Sequence, residues 1–264
     1  MQSAPVMVVS DMDGTLLNDR GVVSERTASA LRRADAAGVR VVIATGRPVW
    51  WLGPVIEAGF TGIAVCMNGA IVYDIAADAV ISSSLLAPTP MRQFVTDLER
   101  LEPRFSLAVE RAGTQLSSCF AEHHYDHPWA DGIFQRTTRA DLLSEPVAKL
   151  LVRGTQGSAD LAAHARAAAG DRVTVTYSTD DGLIEVAAPG VNKGSALDRL
   201  ALSWGIDPAQ VIAFGDMPND LEMLSWAGHG VAMGNGHTEV HAVANEVIGL
   251  HHHDAVAEVL ERWF

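Results

Sequence analysis

Two acidic side chains separated by one residue mark the stretch most suggestive of chemistry, "SDMDGTLL" at residues 10–17. Asp11 and Asp13 follow an apolar run, residues 6–9, that is typical of a buried strand. Carboxylates this close raise each other's pKa, and a divalent cation relieves the repulsion because hard cations prefer oxygen ligands. Gly14 permits a tight turn. The stretch predicts a cation-assisted site, although an acidic turn before a helix has the same pattern.

Further polar residues occur where other apolar runs end or where a helix begins. They are Thr45, Gly46 and Arg47 in "ATGR", Asn68 in "MNGA", Lys193 in "NKGSAL", and Asp216, Asn219 and Asp220 in "GDMPND". A hydroxyl group beside backbone N–H groups can hold phosphate oxygens. Each group alone also fits a helix cap, a turn or a solvated charge. Their order, each after a strand or at a helix start, favours one shared site.

Short apolar runs alternate with stretches of helical spacing in both terminal parts of the chain. Helices are predicted over residues 24–37, 193–204 and 218–227, with Ser24 as an N-cap and Gly38 ending the first. Continuous apolar strands alternating with helices indicate a parallel sheet covered on both faces, which binds ligands beyond the carboxyl ends of its strands. We therefore predict an α/β fold with a Rossmann-like, doubly wound parallel sheet.

The middle of the chain lacks this rhythm and predicts an inserted α+β domain. Its predicted helices cover residues 91–101 and 158–169, and its predicted strands cover residues 104–110, 147–153, 172–178 and 183–187. The predicted boundaries are a catalytic core over 1–86 and 188–264 and an insertion over 87–187. Within the insertion, "AEHHYDHPW" is either a surface loop or a substrate-recognition segment using His123, His124, Tyr125 or Trp129.

Composition restricts the classes of partner. Nineteen basic and 32 acidic residues give a net charge of 19 − 32 = −13, which argues against nucleic acid or an anionic membrane as partner. Cys66 and Cys119 form no CxxC pattern and fit a reducing compartment. Because neither a signal peptide nor a membrane-spanning run is evident, we expect a cytoplasmic protein. The sequence predicts no oligomeric state.

Three consecutive histidines, His251 to His253, occupy the loop "LHHHDA". Neighbouring side chains in a loop point in different directions, whereas a metal site needs converging ligands. The pattern therefore argues against a metal site, and a contact near the mouth of the active site stays open.

The ordered motifs resemble those of the haloacid dehalogenase-like superfamily, and "DMDGTLL", "ATGR", "NGA", "NKGSAL" and "GDMPNDLEML" are most similar to its Cof-type phosphatases. The resemblance implies a core with an inserted type IIB α/β cap domain. It also implies a Mg²⁺-dependent phosphatase that acts on small phosphorylated metabolites, either sugar phosphates or phosphorylated cofactors, through an aspartyl-phosphate.

The same resemblance assigns roles to individual residues. Asp11 attacks phosphorus, and Asp13 is the general acid and then the general base. Mg²⁺ binds the Asp11 carboxylate, the Asp13 carbonyl and Asp216, and Asp220 supports the metal site. The remaining phosphate or substrate contacts are assigned to Thr45 and Lys193, to Gly14 and Gly46, and to Arg47, Asn68 and Asn219.

Two other functions remain open at this stage. A phosphomutase or phosphotransferase of the phosphomannomutase type would pass the phosphoryl group to a sugar hydroxyl instead of water. A non-enzymatic phosphate-ligand sensor would bind without turnover, but the presence of Asp11, Asp13, Lys193 and Asp216 together argues against it.

Overall fold

The computed structural model describes residues 3–115, 118–126 and 132–264. Its strands are β1 (Met7–Ser10), β2 (Arg40–Ala44), β3 (Ile63–Cys66), β4 (Ile71–Asp74), β5 (Ala79–Ser83), β6 (Phe105–Glu110), β7 (Cys119–Glu122), β8 (Gln135–Thr137), β9 (Lys149–Gly154), β10 (Thr174–Thr176), β11 (Leu183–Ala187), β12 (Val211–Gly215), β13 (His229–Ala232) and β14 (Glu246–Val247). Its α-helices are α1 (Glu25–Ala36), α2 (Gly53–Glu57), α3 (Pro88–Leu101), α4 (Arg139–Leu142), α5 (Ser158–Ala169), α6 (Lys193–Ser203), α7 (Leu221–Trp226), α8 (Thr238–Val243) and α9 (Ala255–Leu260).

The described residues divide into two compact units. The first unit comprises Met1–Arg47, Trp51–Ser82 and Asn192–Phe264, and the second comprises Pro48–Trp50 and Ser83–Val191. The predicted domain boundaries, at residues 86/87 and 187/188, stay predictions. Within the described part of the chain, no helix is both long and apolar enough to cross a membrane.

The first unit is built on a sheet whose described strands run in the order β14-β13-β12-β1-β2-β3-β4-β5. Strands β1, β2, β3, β12, β13 and β14 pair in parallel, and β4 pairs antiparallel to β3. Val8 and Val9 on the central strand have no exposed surface, as expected for a strand covered on both faces. The predicted α/β class with a parallel sheet is confirmed, whereas β4 and β5 were not predicted.

The carboxyl ends of four parallel strands meet at one edge of this sheet. Strands β1, β2, β3 and β12 end immediately before Asp11, Thr45, Met67 and Asp216. The three predicted helices are present, with small differences at their ends. Helix α1 begins after Ser24, whose hydroxyl accepts the Thr27 N–H at 3.1 Å. The polar residues selected from the sequence thus leave the sheet at the edge where such folds bind ligands.

The second unit is a separate sheet in which the described strands have the order β10-β11-β9-β6-β7-β8. Helix α5 and strand β11 have the predicted boundaries. Strands β7 and β8 and helix α4 were not predicted, because elements of three or four residues show too little periodicity to identify.

The candidate recognition segment of the second unit has both exposed and buried parts. His123 and His124 are exposed, whereas Tyr125 is only 2% exposed and packs edge-on against Phe134 at 5.6 Å between ring centroids. Trp129 lies outside the described residues. Substrate recognition by these side chains stays a prediction.

A buried ion triad crosses three strands of the second unit. Lys149 Nζ on β9 lies 3.1 Å from Glu110 Oε2 on β6 and 3.0 Å from Glu185 Oε1 on β11. All three side chains are at most 6% exposed. Burial raises the pKa of Glu110, although the positive charge of Lys149 acts to lower it. Burial alone would lower the pKa of Lys149, but the two carboxylates outweigh it and raise that pKa.

Replacing the cation should destabilise the second unit strongly. Lys149→Met leaves Glu110 and Glu185 buried without a counter-charge, so we expect a loss of about 3–5 kcal/mol in the free energy of unfolding. Urea unfolding followed by circular dichroism measures it. Arg100→Met is the matched control, because its ion pair with Asp97 is solvent-exposed and should cost less than about 1 kcal/mol. Equal effects of the two substitutions would contradict the expectation.

Candidate active site

A fully buried lysine joins the carboxylates at the ligand edge of the first unit. Lys193 opens helix α6, and Asn192 caps that helix by accepting the Ser195 N–H at 2.7 Å. Lys193 Nζ donates to Asp11 Oδ1 and to Asp220 Oδ1, both at 2.6 Å. Two of the three ammonium N–H groups are therefore used, and the third remains for an anionic ligand.

Asp220 accepts three hydrogen bonds from groups of the protein itself. Its Oδ1 accepts from Lys193, and its Oδ2 accepts the backbone N–H groups of Asp216 at 2.9 Å and Met217 at 3.1 Å. Asp220 therefore fixes the loop after β12 and orients Lys193. It lies among the predicted metal-site residues, but its own contacts suit support of the site better than direct ligation.

Asp216 is oriented by a hydroxyl group that the sequence analysis missed. Thr15 Oγ1 donates to Asp216 Oδ1 at 2.9 Å, while Asp216 Oδ2 faces Gly14. Thr15 belongs to the same "DGT" string as Gly14. A buried carboxylate needs such donors, so the threonine after the glycine was a usable signal.

Two glycines allow the carboxylates to approach the backbone. Gly14 has φ +72°, and a Cβ there would overlap Asp216 Oδ2. A Cβ on Gly215 would lie 2.6 Å from the Asp220 Cβ. Any side chain at either position would displace an acidic group of the cluster.

Asp13 is held differently from the other acids. Its carboxylate accepts two hydrogen bonds from Arg47, Nε to Oδ2 at 2.7 Å and Nη2 to Oδ1 at 2.6 Å, and its side chain is 57% exposed. In this structure the guanidinium group of Arg47 forms a two-pronged ion pair with Asp13, and its predicted contact with phosphate or substrate stays a prediction. Such forked pairs fix geometry as well as charge.

The predicted phosphate-binding residues on the other strands lie at the same edge. Thr45 is buried, and its hydroxyl accepts the Arg47 N–H at 3.0 Å, which leaves its own proton free to donate. Gly46 lies in the bend between them. Asn219 Nδ2 donates to Asn68 Oδ1 at 3.1 Å. This hydrogen bond joins the loops after β3 and β12, and the predicted contact of Asn219 with phosphate or substrate stays a prediction.

Asn235 also supports the loop that carries the two acids, and the sequence analysis missed it. Its Nδ2 donates to the Gly14 carbonyl at 2.8 Å, and its Oδ1 accepts the His251 N–H at 3.0 Å. The string "GNGH" indicates only a turn, so no sequence signal linked Asn235 to residue 14, which lies 221 positions away.

Burial and like charge disturb the titration of the cluster. Burial raises the pKa of Asp11 well above its ordinary value, and Lys193 opposes this while the other acids reinforce it. The pKa of Asp216 rises to about 7, first through burial and then through the charge of Asp220. Burial would lower the pKa of Lys193, but Asp11 and Asp220 outweigh it and raise that pKa. The protein alone therefore does not neutralise its own carboxylates.

Residues 8–260 match the model of a haloacid dehalogenase-like hydrolase family. The chain belongs to this family. The resemblance stated from the motifs is confirmed, and so is the enzyme class, a haloacid dehalogenase-like phosphatase.

Individual relatives of this hydrolase span its whole length. It is 29% identical over 283 residues to the 5-amino-6-(5-phospho-D-ribitylamino)uracil phosphatase YitU of Bacillus subtilis, covering 100% of this chain and 99% of that protein. It is 31% identical over 280 residues to the chloroplastic endoribonuclease YBEY of Arabidopsis thaliana, but there 97% of this chain spans only 46% of that protein. A solved subclass IIB sugar phosphatase of the superfamily has the same fold, with a TM-score of 0.82, 20% identity and coverage of 97% and 98% of the two chains.

The acidic cluster of this hydrolase fits a hard divalent cation. Asp11, Asp216 and Asp220 each offer a carboxylate oxygen, and these atoms lie within 4.8 Å of one another. With all three carboxylates ionised, as ligation of a cation requires, they and Lys193 sum to −3 + 1 = −2, which a divalent cation balances. Asp11 Oδ2 and Asp216 Oδ2 accept no hydrogen bond from the described residues. These two oxygens would hold Mg²⁺, because both oxygens of Asp220 already accept hydrogen bonds from the protein.

Adding one methyl group at Gly14 should inactivate the hydrolase. Gly14→Ala displaces Asp216, and a displacement of this size can reduce kcat about 100-fold or more. Gly21→Ala is the matched control, because Gly21 also has positive φ, +71°, but nothing lies within 4 Å of its Cβ position. Phosphate release from a generic phosphate monoester measures both variants. Equal losses of activity would attribute the effect to backbone strain instead of the Asp216 contact.

Asp216 should make the metal-free hydrolase less stable as pH rises. Its folded-state pKa of about 7 exceeds the ordinary 3.8, so the folded protein binds this proton more tightly than the unfolded chain. That contribution to stability is complete below the ordinary pKa and is lost as pH rises towards the folded pKa. In EDTA, the Tm of Asp216→Asn minus that of the wild type should therefore increase between pH about 5 and about 8.

Adding Mg²⁺ should raise the Tm of the wild type and change that of Asp216→Asn much less, because binding to the folded state alone stabilises it. A constant Tm difference at every pH, or an equal Mg²⁺ effect on both proteins, would contradict the assignment.

Proposed function

We propose that the chain is a Mg²⁺-dependent phosphatase that hydrolyses small phosphorylated metabolites through an aspartyl-phosphate on Asp11. The observation that carries the proposal is the buried Lys193 ammonium bonded to Asp11 at the carboxyl end of β1. A phosphoryl group entering this edge would meet a carboxylate as nucleophile, a cation beside it and a second carboxylate for proton transfer.

In the first half-reaction, a carboxylate oxygen of Asp11 attacks phosphorus in line with the ester oxygen. A P–O bond to Asp11 forms as the bond to the leaving oxygen breaks. Asp13 donates its proton to that oxygen, so the product leaves as a neutral alcohol. Lys193 reduces the repulsion between the Asp11 carboxylate and the incoming phosphate.

In the second half-reaction, Asp13 takes a proton from water, which attacks the same phosphorus. The P–O bond to Asp11 breaks, and inorganic phosphate and the Asp11 carboxylate are released. The two hydrogen bonds from Arg47 would hold the Asp13 carboxylate in one orientation for this step. In the first half-reaction Asp13 must carry a proton, so Arg47 must break its ion pair with Asp13. Arg47 would then bind the substrate phosphate instead.

Three groups would hold the transferred phosphoryl oxygens. The Thr45 hydroxyl retains its proton, Lys193 retains one N–H, and Arg47 provides the forked guanidinium. Mg²⁺ bound by Asp11 and Asp216, and by the Asp13 carbonyl as the family resemblance implies, would neutralise negative charge on the phosphoryl group.

The roles of the two predicted domains and a cytoplasmic location belong to the same proposal. Residues 1–86 and 188–264 would be the catalytic core, and residues 87–187 the cap that sets specificity. The family relationship, the acidic net charge of −13 and the two buried cysteines, neither of which is in a disulfide, support a cytoplasmic enzyme of small molecules. Because one relative is named a phosphatase of a ribityl phosphate, that compound belongs among the first substrates to be tested.

The test is phosphate release from sugar phosphates, nucleotides, phosphorylated cofactors and 5-amino-6-(5-phospho-D-ribitylamino)uracil. Release should require Mg²⁺, stop in EDTA, and fall roughly a thousandfold or more in Asp11→Asn. Asp35→Asn is the matched control, because Asp35 is an exposed carboxylate on α1 and should keep wild-type activity.

Each other outcome has a definite meaning. Hydrolysis by Asp11→Asn at the wild-type rate would overturn the aspartyl-phosphate mechanism. A phosphorylated sugar product in place of inorganic phosphate would indicate a phosphotransferase. Binding of a compound without turnover by folded, Mg²⁺-loaded protein would indicate a sensor.

A further inference from the structure

Two of the three loop histidines converge on an acidic side chain from the other end of the chain. His251 Nε2 lies 3.4 Å from Asp19 Oδ1, and His252 Nδ1 lies 3.7 Å from the same oxygen. One ligand atom from each of the three residues lies within 4.8 Å of the other two. From geometry, we propose that Asp19, His251 and His252 form a binding site for a transition-metal ion of the Zn²⁺ class.

Two of the three separations between these atoms match what such an ion requires, and the third, between the two nitrogens, is at most 4.8 Å. Zinc binds histidine nitrogen and carboxylate oxygen at about 2.0–2.2 Å, so tetrahedral ligands lie roughly 3.3–3.5 Å apart. The separations of 3.4 and 3.7 Å are within a few tenths of an ångström of this value. Two imidazoles and one carboxylate favour Zn²⁺ over Mg²⁺, which prefers oxygen ligands alone.

The histidines use different ring nitrogens, which explains how neighbours in a loop can converge. The ring planes of His251 and His252 are at 85° to each other, with centroids 5.1 Å apart. His251 presents the distal Nε2, and His252 presents Nδ1, which is closer to its backbone. The sequence-based expectation that these side chains would diverge holds for the rings, but not for the nitrogen atoms that face Asp19.

A second contact orients His251 as a ligand. Its Nδ1 lies 2.7 Å from the Leu17 carbonyl, which can only accept, so Nδ1 is the donor there and Nε2 is the ring nitrogen left to ligate an ion. Histidine ligands of metals commonly donate their other N–H to a carbonyl group in this way. Asp19 and His252 are exposed, which leaves a path for the ion and a position for water.

The site would connect two loops next to the active site without using any catalytic residue. Asp19 follows the turn that carries Asp11 and Asp13, and Asn235 already joins Gly14 to the His251 backbone. A bound ion would add a cross-link between the same segments. Because it would bind only the folded arrangement, it should stabilise the protein against unfolding.

The experiment is calorimetric titration of Zn²⁺ into full-length, EDTA-stripped protein carrying Asp216→Asn, so that the catalytic carboxylates compete less. Titration with Co²⁺, followed by its visible absorption, reports nitrogen ligation independently. Two further substitutions, His252→Ala and Asp19→Asn, are each added to this background. His253→Ala is the matched control, because it removes the neighbouring histidine outside the cluster. Circular dichroism confirms that each variant is folded.

We expect a single equivalent of Zn²⁺ to bind, with affinity at least about tenfold weaker in His252→Ala and in Asp19→Asn and unchanged in His253→Ala. Absence of Zn²⁺ binding would overturn the proposal. Binding that survives both ligand substitutions would place the ion elsewhere and overturn it too. An equal loss in His253→Ala would show non-specific capture by the histidine run, with the same consequence.

Discussion

The arrangement of the candidate active site depends on one buried cation between acids. Lys193 bonds Asp11, 182 positions earlier in the chain, and Asp220, 27 positions later. None of these groups could be buried alone without a large desolvation cost. The lysine therefore holds together the first strand of the chain and the loop after β12, although the whole second unit separates them in sequence. Its pairing with two carboxylates and not one leaves the cluster net negative.

The backbone also stabilises the acidic cluster, through N–H donors and through glycines that allow close approach. Asp220 accepts two hydrogen bonds from backbone N–H groups of its own loop. These bonds fix the conformation of the loop after β12 without a ligand. Gly14 and Gly215 bring main chain against carboxylates where a Cβ would not fit. Negative groups can be packed this densely because the parallel strands place their loops at one edge, where backbone N–H groups such as those of Asp216 and Met217 donate to a carboxylate.

The sequence could predict the positions of the strands, because these follow from the pattern of apolar residues. Apolar runs end immediately before Asp11, Thr45 and Asp216, and their parallel pairing then places these residues together. Contacts between side chains of different loops, such as Arg47 with Asp13 and Asn235 with Gly14, were not predictable, because they depend on how each loop bends after its strand. In the second unit, the short strands β7 and β8 were missed for the related reason that they complete no recognisable period.

Exposure divides the acids of the proposed mechanism into two kinds. Asp11 and Asp216 are each 5% exposed, so an incoming phosphoryl group meets charges that water hardly screens. The Asp13 side chain is 57% exposed and is held by the Arg47 guanidinium group. A group that gives a proton to the leaving oxygen and then takes one from the attacking water must be accessible to that water, whereas a nucleophile gains from desolvation. Asp11 and Asp13 are only two positions apart in sequence. The buried environment of Asp11 suits a nucleophile, and the exposed environment of Asp13 suits a group that transfers protons.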